Sequence, residues 1–210
     1  GIHESQSRLW ENQVGRSRAF WQWCCPKLKA FFGSAVAGLT PDDVYGAANI
    51  VRPDFIRVEA DEVTYNLHVM VRFEIERSLI KGDLTVADLP HVWNQKYKQY
   101  LGIDVPDDAR GCLQDIHWST GSIGYFPTYT LGNLYAAQFF EKALDQMPDL
   151  DDQFAAGRFT ALRRWLNDNI HAHAKRYRAA DLCEHVTGKP LSPDPLIRHL
   201  EGKLRPLYGL

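Results

Sequence analysis

A catalytic zinc is ordinarily held by about three protein donors, with one position left for water. The histidines and carboxylates of this chain are therefore the first residues to weigh. The eight histidines stand at positions 3, 68, 91, 117, 171, 173, 185 and 199. No two are four apart, the spacing that presents two imidazoles on one face of a helix. His171 and His173 would diverge on a helix and read as a solvated helix end. In the opening segment, Gly1-Ile2-His3-Glu4-Ser5-Gln6 leads into an amphipathic pattern. Glu4 could supply one metal-binding carboxylate there, or simply face the dipole of the first helical turn. Arg57 follows an apolar run. Its planar fork suits a carboxylate, either that of a ligand or an internal partner such as Asp61 or Glu59. Asp61 itself reads as a cap for the helix that follows. His117 stands between Ile116 and Trp118, just after Gln114 and Asp115. It is either a donor beside a reacting group or a buried histidine bonded to Asp115 or a backbone carbonyl. Tyr125 and Tyr129 could each offer a phenolic hydroxyl to a developing oxyanion, or fill a core. Gly121, Gly124 and Gly132 suggest that backbone approaches something closely.

Three of these segments, in this order, resemble the thermostable (Taq-type) zinc metallocarboxypeptidases. His3-Glu4-Ser5-Gln6 is similar to the family's HES(Q/G)Q block, Ile56-Arg57-Val58-Glu59-Ala60-Asp61 to its (I/V)RxxAD block, and Gly111-Cys112-Leu113-Gln114-Asp115-Ile116-His117-Trp118 to its GxxQDxHW block. The stretch Gly124-Tyr125-Phe126-Pro127-Thr128-Tyr129-Thr130-Leu131-Gly132-Asn133 is similar as well. The resemblance runs from Ile2 to the C-terminal Tyr208-Gly209-Leu210. It implies Glu4 as a metal ligand and Arg57 as the receiver of a substrate's free C-terminal carboxylate. It implies His117, with Tyr129 or Tyr125, at the scissile bond. The family's His-Glu-x-x-His helix, which precedes the first block, does not occur here. The resemblance therefore reads as the C-terminal part of the catalytic domain. Zinc, or cobalt in its place, is expected in the intact enzyme, and tight binding to this chain alone is not.

The elements that must position these residues are mainly helical. Apolar residues at three- and four-residue spacing run from Ser5 to about Trp23, where Pro26 is expected to break the helix. A short second helix is expected over Lys27 to Phe32. Thr40-Pro41-Asp42-Asp43 is a helix start: a capping threonine, proline in the first turn, then acidic residues facing the dipole. Ile50 to Val58 is the best strand candidate, although Pro53 interrupts it. Asp61 to about Ile80 reads as a long helix with a broad apolar surface formed by Val63, Leu67, Met70, Val71, Phe73, Ile75 and Leu79. Further helices are expected over Thr85 to Leu101 (with a turn near Pro90), Pro127 to Met147, Asp149 to Ala156, Arg158 to Ile170, Asp181 to Val186 and Asp194 to Leu204. The fold class expected is all-α, with at most one small β-sheet near Ile50 to Arg57, as the C-terminal portion of a zincin-like helical metallopeptidase. Residues 1–210 are expected to form a single helical region, since no linker or internal repeat interrupts them.

Composition sets the outer bounds. A net charge of −2 without basic runs argues against nucleic acid or membrane surface as a partner. No apolar window approaches the roughly 18 residues of a transmembrane helix. The four cysteines, with Cys24 and Cys25 adjacent, give neither a disulfide framework nor a Cys-x-x-Cys metal site. Reduced thiols in a cytoplasmic protein are expected. The function expected is that of a metallocarboxypeptidase releasing single amino acids from peptide C-termini, with this chain alone inactive. Its partners would be peptide C-termini, the missing N-terminal part of the same protein, and a second copy in a dimer. The alternative is a non-catalytic helical module that binds a peptide or partner through the same face.

Overall fold

The computed structural model describes all residues from Gly1 to Leu210. Ten α-helices follow one another: α1 (Ile2–Arg8), α2 (Arg18–Phe32), α3 (Pro41–Ala48), α4 (Tyr65–Lys81), α5 (Leu89–Leu101), α6 (Pro127–Gln146), α7 (Leu150–Ala155), α8 (Thr160–Asn169), α9 (Ala179–Thr187) and α10 (Asp194–Tyr208). There is no strand, and the all-α expectation holds.

The chain forms two compact units. One comprises Gly1–Asn49 and Leu131–Leu210, and the other is the intervening Ile50–Thr130. The second is inserted into the first, so no single linker marks it in the sequence. In the first unit, α2 packs on α3 and α7. Its core includes Leu9, Phe139, Leu150, Phe154, Leu162 and Leu166, none with any exposed surface. In the second, α4 packs on α5, and Val71, Ile75, Trp93 and Tyr97 form its centre.

Several local expectations hold because they rest on local chemistry. Thr40 and Asp43 form a reciprocal capping box at the start of α3. The Asp61 carboxylate accepts from the amides of Val63 and Thr64, capping the turn that leads into α4. The helix itself begins at Tyr65, four residues later than expected.

Other expectations are corrected. The Ser5–Trp23 pattern is α1, then a π-helical stretch (Leu9–Gly15), then a break at Ser17. The wider π turn accounts for the mixed spacing. Pro26 does not end α2, which continues to Phe32. Packing on two neighbouring helices outweighs the missing amide. Pro90 lies in the first turn of α5, where its missing amide is harmless, instead of dividing a longer helix. The strand candidate Ile50–Val58 is irregular and ends in a 3₁₀ turn, Arg57–Glu59. Side chains satisfy its backbone in place of a ladder: Asp61 accepts from the Arg52 amide and Gln114 from the Arg57 amide.

Candidate functional site

The inserted unit holds four of the five residues singled out from the sequence: Arg57, His117, Tyr125 and Tyr129. Its organising group is the carboxylate of Asp115. Oδ1 accepts from Arg57 Nη2 at 2.7 Å and Nε at 3.1 Å, and Oδ2 accepts from Arg72 Nε at 2.6 Å. The Arg72 side chain is 0% exposed, Arg57 6% and Asp115 11%. Burial alone would raise the Asp115 carboxyl's pKa, but the guanidinium groups of Arg72 and Arg57 hold it below the usual carboxylate range. The neighbouring Gln114 ties the same parts together. Its Oε1 accepts from the Arg57 amide and from Arg72 Nη2, both at 2.8 Å, and its Nε2 donates to the carbonyl of Phe55 at 2.9 Å. Arg72 also donates to the His68 carbonyl and to the Tyr97 hydroxyl.

This places Arg57 more firmly than its sequence suggested. The ion-pair partner is Asp115, not Asp61 or Glu59, because the backbone turn at Arg57–Glu59 aims the guanidinium inward. Arg57 Nη1 donates to the Tyr65 hydroxyl at 3.1 Å, so three of its five N–H groups are engaged. The guanidinium carbon stands 4.8 Å from the centre of the Tyr129 ring, within cation–π range.

His117 contacts the same tyrosine. Its Nε2 is 2.9 Å from the Tyr129 hydroxyl. Its Nδ1 is 3.7 Å from Asp115 Oδ1, too long for a hydrogen bond and an ion pair only when the ring is protonated. Accordingly, Nδ1 is buried without a hydrogen-bond partner. The imidazole packs 4.3 Å from the Phe126 ring centre and 5.7 Å from that of Tyr125. Burial lowers the pKa of His117 below its ordinary value, opposed by Asp115 and assisted by Arg57. At neutral pH the ring is therefore uncharged, able to donate or accept. An open cleft of about 350 Å³ is lined by Ile116, His117, Thr120, Ser122, Tyr125 and Tyr129. Arg57 and His117, 60 positions apart in the sequence, thus converge on Tyr129.

Two residues that the sequence reading passed over hold this arrangement: Arg72 and Glu76. The expected apolar surface of α4 included Met70 and Phe73, yet these are 42% and 39% exposed. Besides Val71 and Ile75, buried as expected, α4 buries His68, Arg72 and Glu76, one above another at four-residue spacing. Polar side chains recurring every fourth residue within an apolar helix are the signal that could have revealed them. Burial and the positive charges of Arg72 and Arg57 lower the pKa of His68 to about 3.

Glu4 belongs to the other unit, on α1. A Cβ built on Gly132 of α6 would come within 2.9 Å of both Cβ and Cγ of Glu4. Gly132 thus permits a close approach of α1 to α6, as the glycine pattern suggested. Gly121 and Gly124 face open space, and their positive φ angles of 75° and 79° give the reason for glycine there. No group of three or more His, Cys, Asp or Glu side chains converges in a way that could hold a metal ion. The four cysteines are free thiols, and no helix is long and apolar enough to cross a membrane.

The thermostable carboxypeptidase 1 of Thermus thermophilus is 49% identical over 209 residues, covering 100% of this chain and 41% of that protein. Carboxypeptidase 1 of Bacillus subtilis is 43% identical over 210 residues, 42% of its length. The crystal structure of the M32 carboxypeptidase from Deinococcus radiodurans superposes with a TM-score of 0.97 at 45% identity, covering 100% of this chain and 42% of that one. This chain thus spans about two fifths of the length of the relatives it matches. With residues 1–204 matching the carboxypeptidase Taq (M32) metallopeptidases, the chain belongs to that family.

Proposed function

We propose that this chain carries the substrate side of a metallocarboxypeptidase, a protein that hydrolyses the last peptide bond of a peptide and releases a single amino acid. The observation that supports this most is the convergence of Arg57 and His117 on Tyr129 beside an open cleft. Arg57 offers its two remaining N–H groups to the free α-carboxylate. Asp115 holds the guanidinium in place. The free N–H groups of that fork favour an incoming anion over a neutral chain end. An exopeptidase needs this discrimination.

Tyr129, with its hydroxyl held by uncharged His117, donates to the oxygen that gains charge as the carbonyl is attacked. Tyr125, 47% exposed on the rim, is the second candidate for that role. Glu4 contributes one carboxylate toward the family's metal, proposed as zinc with cobalt as substitute, and the other donors lie outside these residues. On this reading, the 210 residues alone release no amino acid. A homodimer and a cytoplasmic setting complete the proposal, the latter supported by four free thiols.

The test compares the purified 210-residue chain with one extended upstream along its gene. Each is given zinc or cobalt and a blocked dipeptide substrate. Metal-dependent release by the extended chain only is the expected result. Equal rates in both would overturn the view that the metal site is incomplete here. Release by neither, with an upstream His-Glu-x-x-His segment present and metal bound, would favour a non-catalytic peptide-binding module.

A further inference from the structure

The segment that follows His117 is fastened at both ends by one side chain. Glu76 lies in the middle of α4 and is 5% exposed. Its Oε2 accepts from Trp118 Nε1 at 2.8 Å, and its Oε1 accepts from the Gly124 amide at 2.7 Å. Trp118 directly follows His117, and Gly124 directly precedes Tyr125. Between them the chain makes turns without regular structure and contains two glycines at positive φ, Gly121 and Gly124. His117, Thr120, Ser122 and Tyr125 all project from this stretch or its ends into the cleft. One turn earlier on α4, Arg72 holds Gln114 and Asp115 just before His117. The same helix face therefore grips the chain on both sides of the histidine.

We propose that Glu76 is a positioning residue that sets His117 and Tyr125 around the cleft by stapling the two ends of the Trp118–Gly124 loop. A buried carboxylate accepting from two neutral N–H groups makes charge-assisted bonds stronger than neutral ones. The hydrogen bonds within the loop are short-range turns, from the Gly121 amide to the Trp118 carbonyl and from the Ser122 amide to the His117 carbonyl, and a contact from outside it fixes the geometry of its flanking side chains. Glutamine at this position keeps the volume. However, it can accept with only one atom, and its amide would face one of the two donors. The effect of Glu76→Gln is therefore one of hydrogen bonding and not of packing. The proposed role in peptide hydrolysis rests on the carboxypeptidase reading above, whereas the positioning of His117 does not.

The experiment uses Glu76→Gln and Trp118→Phe, the second removing one donor while keeping the carboxylate and an aromatic ring. Amide exchange over residues 118–126 is measured beside that of α5, and the His117 ring is titrated with labelled histidine. In Glu76→Gln, loss of such a buried bond is expected to speed exchange at Gly124 by about 10- to 100-fold, with α5 unchanged. In Trp118→Phe, which keeps the Glu76 charge, the His117 titration moves up toward its ordinary value as the ring gains solvent; in Glu76→Gln, loss of the anion that raises the His117 pKa opposes that rise. In the chain extended upstream, kcat falls about 10-fold or more while KM changes little, as expected for misplaced reacting groups. Unchanged exchange in residues 118–126 in both variants, or faster exchange in Trp118→Phe with an unmoved His117 titration, would overturn the proposal. If exchange and titration move as expected but the extended parent protein releases no amino acid, the positioning role stands and the carboxypeptidase reading falls.

Discussion

Replacing Asp115 with asparagine should destabilise the inserted unit far more than its single charge suggests. The side chain keeps its shape but loses the anion that three guanidinium nitrogens contact at 2.6 to 3.1 Å. Arg72 has no solvent-exposed surface and Arg57 almost none, so neither can turn to water for compensation. Both would remain charged, because arginine does not give up its proton in proteins. Two like charges would then share a buried site, with an amide NH₂ pointing at one of them. Breaking a buried ion pair by removing one partner costs about 3–5 kcal/mol. For a chain of this size, each kcal/mol corresponds to about 2–4 °C in Tm, so the expected loss is roughly 6–20 °C. Thermal unfolding followed by circular dichroism, with urea titration beside it, reads the effect. Asp107→Asn is the control. That residue pairs with Arg110 at the surface, and solvent screens the pair, so its midpoint should stay within error. Acid provides a second arm. The folded Asp115 carboxyl has a lowered pKa, so its contribution is complete above the unfolded value near 3.9 and is lost as pH falls through the folded value. The Asp115→Asn protein should lack that portion of the acid loss. A stability loss below about 1 kcal/mol, the range of an exposed pair, would refute the picture of a dry, mutually dependent cluster.

Three further outcomes follow from the same structure. His68 has its folded pKa lowered to about 3, so the unfolded chain binds the extra proton first on acidification. Its stabilising effect is complete above about pH 6.5 and falls by up to about 1.4 kcal/mol per pH unit toward 3. Urea midpoints for His68→Asn should show a shallower pH slope over that window, and an identical slope would refute the assignment. Gly132→Ala should cost about 1–3 kcal/mol through overpacking against Glu4, read as a lowered urea midpoint. An unchanged midpoint would mean that α1 can withdraw freely. Tyr129→Phe in the extended chain removes the hydroxyl beside His117. It should lower kcat by about 10²-fold with KM little altered, whereas a rise in KM alone would assign the tyrosine to binding.

The start of α3 was fully legible in the sequence, because a capping threonine, a first-turn proline and an acidic N3 residue act within four positions of one another. The same holds for α6, expected over Pro127 to Met147 and found over Pro127–Gln146, and for the Asp61 cap. Local hydrogen bonds and helical periodicity need no distant partner. Arg57, His117, Tyr125 and Tyr129 could be named as candidates because their segments resemble known family blocks, not from side-chain type alone, which many other residues of the chain share. The tertiary structure decided what each of them touches. Arg57 meets Asp115 across 58 positions, Trp118 meets Glu76 across 42, and Arg72 meets Asp115 across 43. No periodicity encodes such pairings. A charged residue inside an apolar helix reads as solvent-facing until a distant loop folds over it. Burial then turns an ordinary surface pattern on α4 into the fixture that holds the site, because removing water makes each ion pair and hydrogen bond there costly to leave unmade.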